Sequence, residues 1–404
     1  MKKQIKIPLV AIILVVLIVI AIVVLLIVNS VKKSDNTNNG ENVSNEVSNV
    51  VSENITTNNT TSAELEQTAD ISVVPTMKDR LTTDSAWCGT FQLVWNDLKN
   101  EIVGQDILFQ EPMEEVSNLN LGEFNTSMIS DEYYYKKYGL KTLELKNEIE
   151  QGIYEKFGQT SDILDKFDWS DEALHGSGQH DYRYFLYSML YRKFEFASHF
   201  DRLENGSFGD DYQNVKYFGI NASTDDSLNS QVQVLYYNND NDFAVTLETT
   251  SGDQVVLCKN PEGSNFSEIY NNMINKANSY TGNREFEDID ELKVPYINLD
   301  ITKEYEELEG KLFFAPKQGE QAIGVIQKAL QSIKLTLDET GGEIKSEAGI
   351  DTTIDTALIN PETEMETPRH FYFDNTFAVF LKEENQNLPY FAARIDDITK
   401  YQQQ

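Results

Sequence analysis

The chain has 404 residues, 66 acidic against 33 basic, for a net charge of −33. So negative a surface lacks the basic footprint that nucleic-acid binding needs, which excludes that class. The 21 Phe and 20 Tyr supply a sizeable core, and only two cysteines are present, Cys88 and Cys258.

Residues Ile7–Val28 are apolar and carry no charge. At about 1.5 Å per residue they would span roughly 33 Å, enough to cross a bilayer. Lysines flank both ends and no small-x-small cleavage site follows, so the reading is a retained anchor rather than a cleaved signal. The expected arrangement is a cytoplasmic stub and transmembrane anchor over 1–31, with everything after it outside the cell. Residues 32–78 are rich in Asn, Ser and Thr. That composition buries too little apolar surface to offset chain ordering, so a disordered linker is expected. No Gly/Ser/Pro-rich divider follows, and 79–404 is read as one domain.

Within the domain, "SAWCGTFQLVWNDLKNEI" (85–102) places Trp87, Phe91, Val94, Trp95 and Leu98 on one helical face. Residues 132–158 carry one or two more helical patterns. The aromatic run 181–200 suits a central strand. "VQVLYY" and "FAVTLE" flank a polar turn as a hairpin, and "QVVLCK" follows as another strand. A helix is expected over 266–280, then a strand and short helix over 291–310. Residues 371–397 read as two strands joined by "EENQN". Helices lead and strands dominate the second half, which predicts an α+β fold with antiparallel sheets. Cys88 and Cys258, far apart in sequence, are expected to be free and buried, with a disulfide as the alternative.

No catalytic constellation emerges. Ser177 lies between glycines in "HGSGQH" (175–180), but no strand leads into it as a nucleophile elbow requires. His175 and His180 share no regular element that would present both to a metal. The expectation is no enzyme, no metal and no cofactor.

The stretch 335–359 does more. After Gly341-Gly342 it alternates: Ile344, Ser346, Ala348, Ile350, Thr352 and Ile354 share one face, while Glu343, Lys345, Glu347 and Asp351 share the other. It then runs into an acidic, Pro-containing segment. Here the C-terminal third resembles the serpin family. "KALQSIKLTLDETGGE" resembles the strand and hinge that precede the family's reactive loop, with Glu339, Gly341 and Gly342 at the hinge. "FYFDNTFAVFLKE" and "LPYFAARI" resemble its closing strand pair, with Phe373, Asp374, Phe377, Phe380, Pro389, Phe391, Arg394 and Ile395 matching. "YSMLYRKFEFASHF" resembles an upstream strand with Phe194 in place of Trp, and "TFQLVWNDL" resembles the first helix.

The chain departs from the pattern at "ILFQEPMEEV", the counterpart of the sheet-opening segment, where Glu111 and Glu114 flank Pro112. Gly342 replaces the hinge Thr, and Ile344, Lys345, Ser346 and Glu347 replace small alanines.

The resemblance implies a serpin-like fold of N-terminal helices and antiparallel sheets with an exposed reactive-centre loop. Together with the anchor read from Ile7–Val28, it implies a monomeric protease inhibitor, tethered to the membrane and facing outside, that acts as a suicide substrate. A serine or cysteine protease would cut near Asp355-Thr356, anywhere over 354–366. The freed strand, with Ile344, Ser346 and Ala348 facing inward, would then enter a sheet. The alternative is a non-inhibitory surface protein of the same fold that binds a ligand or partner.

Overall fold

A computed structural model describes residues 71–170, 183–319, 322–347 and 368–402. The anchor Ile7–Val28 and the Ser177 and His180 loop lie outside them. Among the described residues no helix is long and apolar enough to cross a membrane.

Among the described residues three larger sheets organise the domain, beside two two-stranded ones. A seven-stranded sheet runs in the order Ser72–Val73, Ser85–Cys88, Phe391–Ile395, Phe377–Glu383, Asp253–Lys259, Asp242–Glu248, Val232–Asn239. Its central strand carries Phe377, Ala378, Val379, Phe380 and Leu381 with no exposed surface at all. Such a continuous apolar run marks a strand covered on both faces. Helix Phe266–Ser279 supplies part of the cover, with Tyr270 edge-on to Phe380 at 5.2 Å between ring centroids. That helix starts where the sequence says it should. Asn265 accepts from the Glu268 N–H at 2.8 Å, and the Glu268 carboxylate accepts from the Ser264 N–H at 2.8 Å, so orphan amide groups of the first turn are satisfied.

A four-stranded sheet holds His370–Tyr372, Glu291–Pro295, Tyr217–Ile220 and Asp201–Arg202. A five-stranded sheet holds Ile297–Glu304, Leu330–Asp338, Gly341–Glu347, Tyr184–Glu195 and Tyr134–Leu140, every neighbour antiparallel. Its inner face packs Leu190, Phe194, Ile333, Leu335 and Ile344 into the main core. Its outer face is covered by helix Leu143–Phe157 and the turn Leu164–Lys166, which bury Phe185, Tyr187 and Met189.

The α+β architecture is as expected, but three local readings are corrected. Ser85–Cys88 is a strand and only Thr90–Asp97 continues as α-helix, because the apolar residues before Gly89 pair with Phe391–Ile395. Tyr134–Leu140 is an edge strand paired to Tyr184–Glu195, so the helical pattern begins only at Leu143. The ordered domain starts earlier than 79: Ser72 and Val73 pair in parallel with Ser85 and Ala86, and Ile71, Val73 and Val74 are buried. Both cysteines are free and buried.

Candidate functional site

The hinge is a two-residue turn. Asp338 pairs with Gly341, leaving Glu339 and Thr340 between them. The Asp338 carboxylate caps the turn, accepting from the Thr340 N–H at 2.8 Å and its hydroxyl at 2.6 Å, as Asp side chains do in tight turns. Both glycines are required. Gly341 has φ +142°, and a Cβ there would sit 2.2 Å from the Phe194 carbonyl oxygen. A Cβ on Gly342 would lie 2.5 Å from the Thr336 carbonyl oxygen. Side-chain-free residues therefore let this strand wedge between two backbones.

Glu339 ties the turn to the rest of the molecule. Its carboxylate accepts from the Tyr296 hydroxyl at 2.6 Å and from Arg202 Nε at 2.5 Å. Burial opposes its charge, but these hydrogen bonds outweigh burial and hold the carboxyl below its ordinary range. A polar cavity of about 520 Å³ opens beside it, with Arg202, Lys216, Tyr296 and Glu339 on its walls.

Beyond the turn, Gly341–Glu347 is a middle strand of the five-stranded sheet in the uncut chain. It pairs with Leu330–Asp338 on one side and with Leu190–Glu195 on the other. Ile344 and Ser346 have no exposed surface. Ser346 Oγ lies 2.8 Å from Thr90 Oγ1 and donates to the Ser332 carbonyl at 3.2 Å. Thr90 opens helix Thr90–Asp97, so it is this segment that faces the inserted strand. "ILFQEPMEEV" is elsewhere: Phe109 bridges to Phe313, and Glu114 begins helix Glu114–Leu121.

Glu347 is the larger surprise. The alternation puts it on the outward face, and outward it points, but only 1% of it is exposed. Its carboxylate accepts from the Tyr187 hydroxyl at 2.5 Å, from Ser161 Oγ at 3.1 Å and from the Asp162 N–H at 3.2 Å. Burial pushes the carboxyl up from its usual range. Burial and the neighbouring Glu347 together push the Tyr187 phenol well up. Next along that face, Lys345 Nζ donates to the Thr160 carbonyl at 2.7 Å and to Asp162 Oδ2 at 2.8 Å. Residues 160–162 thus lie across the strand as a strap. No sequence period could have shown this, because the cover comes from a segment far away in the chain. Ala348, Asp355 and Thr356 lie outside the described residues. Among the described residues no cluster of His, Cys, Asp or Glu could hold a metal ion.

A second polar knot joins the sheets. Arg192 Nε meets Asp253 Oδ2 at 2.5 Å and Arg192 Nη1 meets Glu383 Oε1 at 2.6 Å. The guanidinium lies 3.5 Å from the Tyr133 ring centroid. Asp253 also accepts from the Tyr390 hydroxyl at 2.9 Å, and Glu383 from Ser130 Oγ at 2.7 Å. Arg192 and Asp253 are fully buried, and the pairing is what makes that tolerable.

The quoted motifs now have places. The strand-and-hinge stretch forms two neighbouring strands of one sheet, and the aromatic closing pair lies side by side in another. The segment after the undescribed stretch, His370–Tyr372, begins a third. The fold is serpin-like. No protein-family model matches the chain, and no curated protein does. Solved structures similar to it include a loop C-sheet serpin polymer, at 13% identity over 80% of this chain and 91% of that one, with a TM-score of 0.41. A thermophilic serpin, Tengpin, in the latent state matches at 12% identity over 79% and 93%, with a TM-score of 0.40. Thyroxine-binding globulin in complex with thyroxine matches at 13% identity over 66% and 77%, with a TM-score of 0.35. The serpin-like assignment rests on the chain's own sheets and on where its motifs fall in them.

Proposed function

We propose that the chain is a membrane-tethered, extracellular protease inhibitor of the suicide-substrate kind, with the segment after Glu347 as bait for a serine or cysteine protease. One observation carries this reading: the hinge strand lies between two strands of its sheet, and the register of its described residues can be continued along the partner strand. Ser346 pairs with Leu190, and the partner strand runs on to Tyr184. Among the described residues, nothing pairs with 184–188 on that side. In the same register residues 348–352 would lie opposite 188–184. Their inward members would be Ala348, Ile350 and Thr352, none charged. Burying Ile350 alone would contribute about 1.5–3 kcal/mol. A cut within 354–366, near Asp355-Thr356, would free those residues to continue the strand.

The second reading, a non-inhibitory binding protein, is favoured by a different observation: seven residues already sit in the sheet of the uncut chain, anchored on both faces. The test is incubation with a panel of serine and cysteine proteases. Inhibition predicts a covalent complex that survives detergent, and cleaved protein that melts higher than intact protein. Cleavage without either result supports the binding protein. Protease shaving of intact cells, which should release the domain, checks the tether and its orientation.

A further inference from the structure

The short strands Leu312–Phe314 and Ile323–Val325 pair into a hairpin that is apolar on both faces. Inward, Phe313 is buried against Phe109 at 6.3 Å between ring centroids, in a cluster with Phe91, Trp95 and Tyr305. Outward, Leu312 stands opposite Val325 and Phe314 opposite Ile323, near enough for each pair to touch. Leu108 precedes the bridge between Phe109 and Phe313, so the strand period puts it on the same outward side. These five side chains are between 37% and 68% exposed. They are five of the eleven exposed large apolar or aromatic side chains among the described residues, and they gather in one place. Single exposed apolar side chains are ordinary, whereas a gathered patch marks a surface that something covers.

The chemistry of the patch favours lipid over protein. All five are Leu, Ile, Val or Phe, with no hydroxyl, amide or charge of the kind that gives protein interfaces about one hydrogen bond per 100–200 Å². The charges around it are matched, in a chain of net charge −33. Lys99 pairs with Asp106 at 3.1 Å, Lys317 with Glu101 at 3.6 Å and Lys328 with Glu304 at 2.6 Å. Residues 311–328 carry three lysines against one glutamate. This end of the domain therefore lacks the excess of carboxylates that would repel headgroup phosphates. The tethered reading also supplies the bilayer. A linker as long as the Asn/Ser/Thr-rich stretch between Val28 and Ile71 has a root-mean-square reach of about 35 Å.

We propose that the outward face of this hairpin, with Leu108, rests on the phospholipid surface of the membrane that anchors the chain. The proposal rests on the tether reading and adds an orientation to it. The hairpin leaves and rejoins the five-stranded sheet at Glu304 and Leu330, at the end opposite the hinge turn. Contact through the hairpin holds the hinge end away from lipid, open to a protease arriving from solution.

The full-length protein is reconstituted into phosphatidylcholine vesicles containing doxyl-labelled phosphatidylcholine. Cys88 and Cys258 are buried, so a thiol-reactive nitrobenzoxadiazole dye labels one introduced cysteine. Ile323→Cys reports on the patch, and Tyr154→Cys, equally exposed on helix Leu143–Phe157, is the control. Expected is blue-shifted emission quenched by the doxyl lipid at position 323 and not at 154, with the quenching lost when Phe314→Glu is added. Flotation after an alkaline carbonate wash reports separately on the anchor. Protein that stays with the vesicles but shows no quenching at 323 overturns the proposal and leaves the tether standing. Protein stripped by carbonate, yet quenched at 323 beforehand, overturns the tether and keeps the lipid contact. Stripping without quenching overturns both. A blue shift at 323 that doxyl lipid does not quench, and that grows with the protein-to-lipid ratio, overturns the proposal in favour of a second copy of the chain. Equal quenching at 323 and 154, or quenching that survives Phe314→Glu, overturns it as well.

Discussion

Glu347 offers the sharpest test of whether the hinge strand is seated before any cleavage. Alanine there would deprive three donors of their acceptor: Tyr187 Oη, Ser161 Oγ and the Asp162 N–H. Tyr187 is 2% exposed and cannot turn to water, while the other two sit nearer the surface. At about 1–3 kcal/mol for a stranded buried donor, Glu347→Ala should cost roughly 2–3 kcal/mol. Glutamine separates shape from charge, since it keeps an acceptor oxygen and never ionises. The sign follows from burial, which raises the folded carboxyl above its unfolded value. A raised carboxyl contributes stability that is fully present below the unfolded pKa, about 4.3, and is lost as pH rises through the folded value. The stability of wild type relative to Glu347→Gln should therefore fall as pH rises from about 4. Each unit of elevation is worth about 1.4 kcal/mol. Urea unfolding of both proteins across pH measures the difference, and background titrations common to both cancel. A difference that stays flat with pH would mean an exposed carboxylate and an unseated strand.

Three further substitutions probe the same sheet. Gly341→Ala places a Cβ against the Phe194 carbonyl and forces an unfavourable φ, so it should cost about 1–3 kcal/mol or more in urea unfolding and speed hydrogen exchange over 341–347. Arg192→Met leaves Asp253 and Glu383 without their cation and should cost about 3–5 kcal/mol, read from the denaturation midpoint. Lys345→Ala removes the strap's half-buried contact with Asp162, at about 1 kcal/mol, and should raise hydrogen exchange of the strand roughly fivefold.

The parts of this fold legible in sequence are those whose residues carry a full period of their own. Tyr184–Glu195, the hairpin around Asn239–Asp242 and helix Phe266–Ser279 all read correctly because pattern, turn and cap agree. Ser85–Cys88 was illegible because a four-residue strand runs almost directly into a helix and the apolar residues merge into one face. Tyr134–Leu140 misled because its tyrosines and lysines fit either period, and only pairing with Tyr184–Glu195 decides. At the hinge, the alternation grouped Ile344 and Ser346 on one face. It could say nothing of Thr90 beneath them or of the strap above, since both contacts join segments some 185 to 256 residues apart.

How far the strand could advance after a cut is set by its outward face. In the observed register Gly349 would lie opposite Tyr187 and Asp351 opposite Phe185. Gly349 offers no side chain to the cover. Asp351 would meet an apolar layer, where the Phe185 ring touches Phe167 and Trp169, each 4.9 Å away between centroids. An unpaired carboxylate there costs several kcal/mol. That exceeds what Ile350 contributes by burial, about 1.5–3 kcal/mol. The charge therefore opposes the last steps of insertion unless it reaches Lys141 or Lys146, which lie 5.0 and 5.8 Å over the Trp169 ring. Asp351→Ala should enlarge the rise in melting temperature on cleavage. Calorimetry of cut and uncut forms gives the comparison. An equal rise in both proteins would show that the strand stops short of residue 351 or that the lysines neutralise it, and pairing Asp351→Ala with Lys141→Ala separates those two cases.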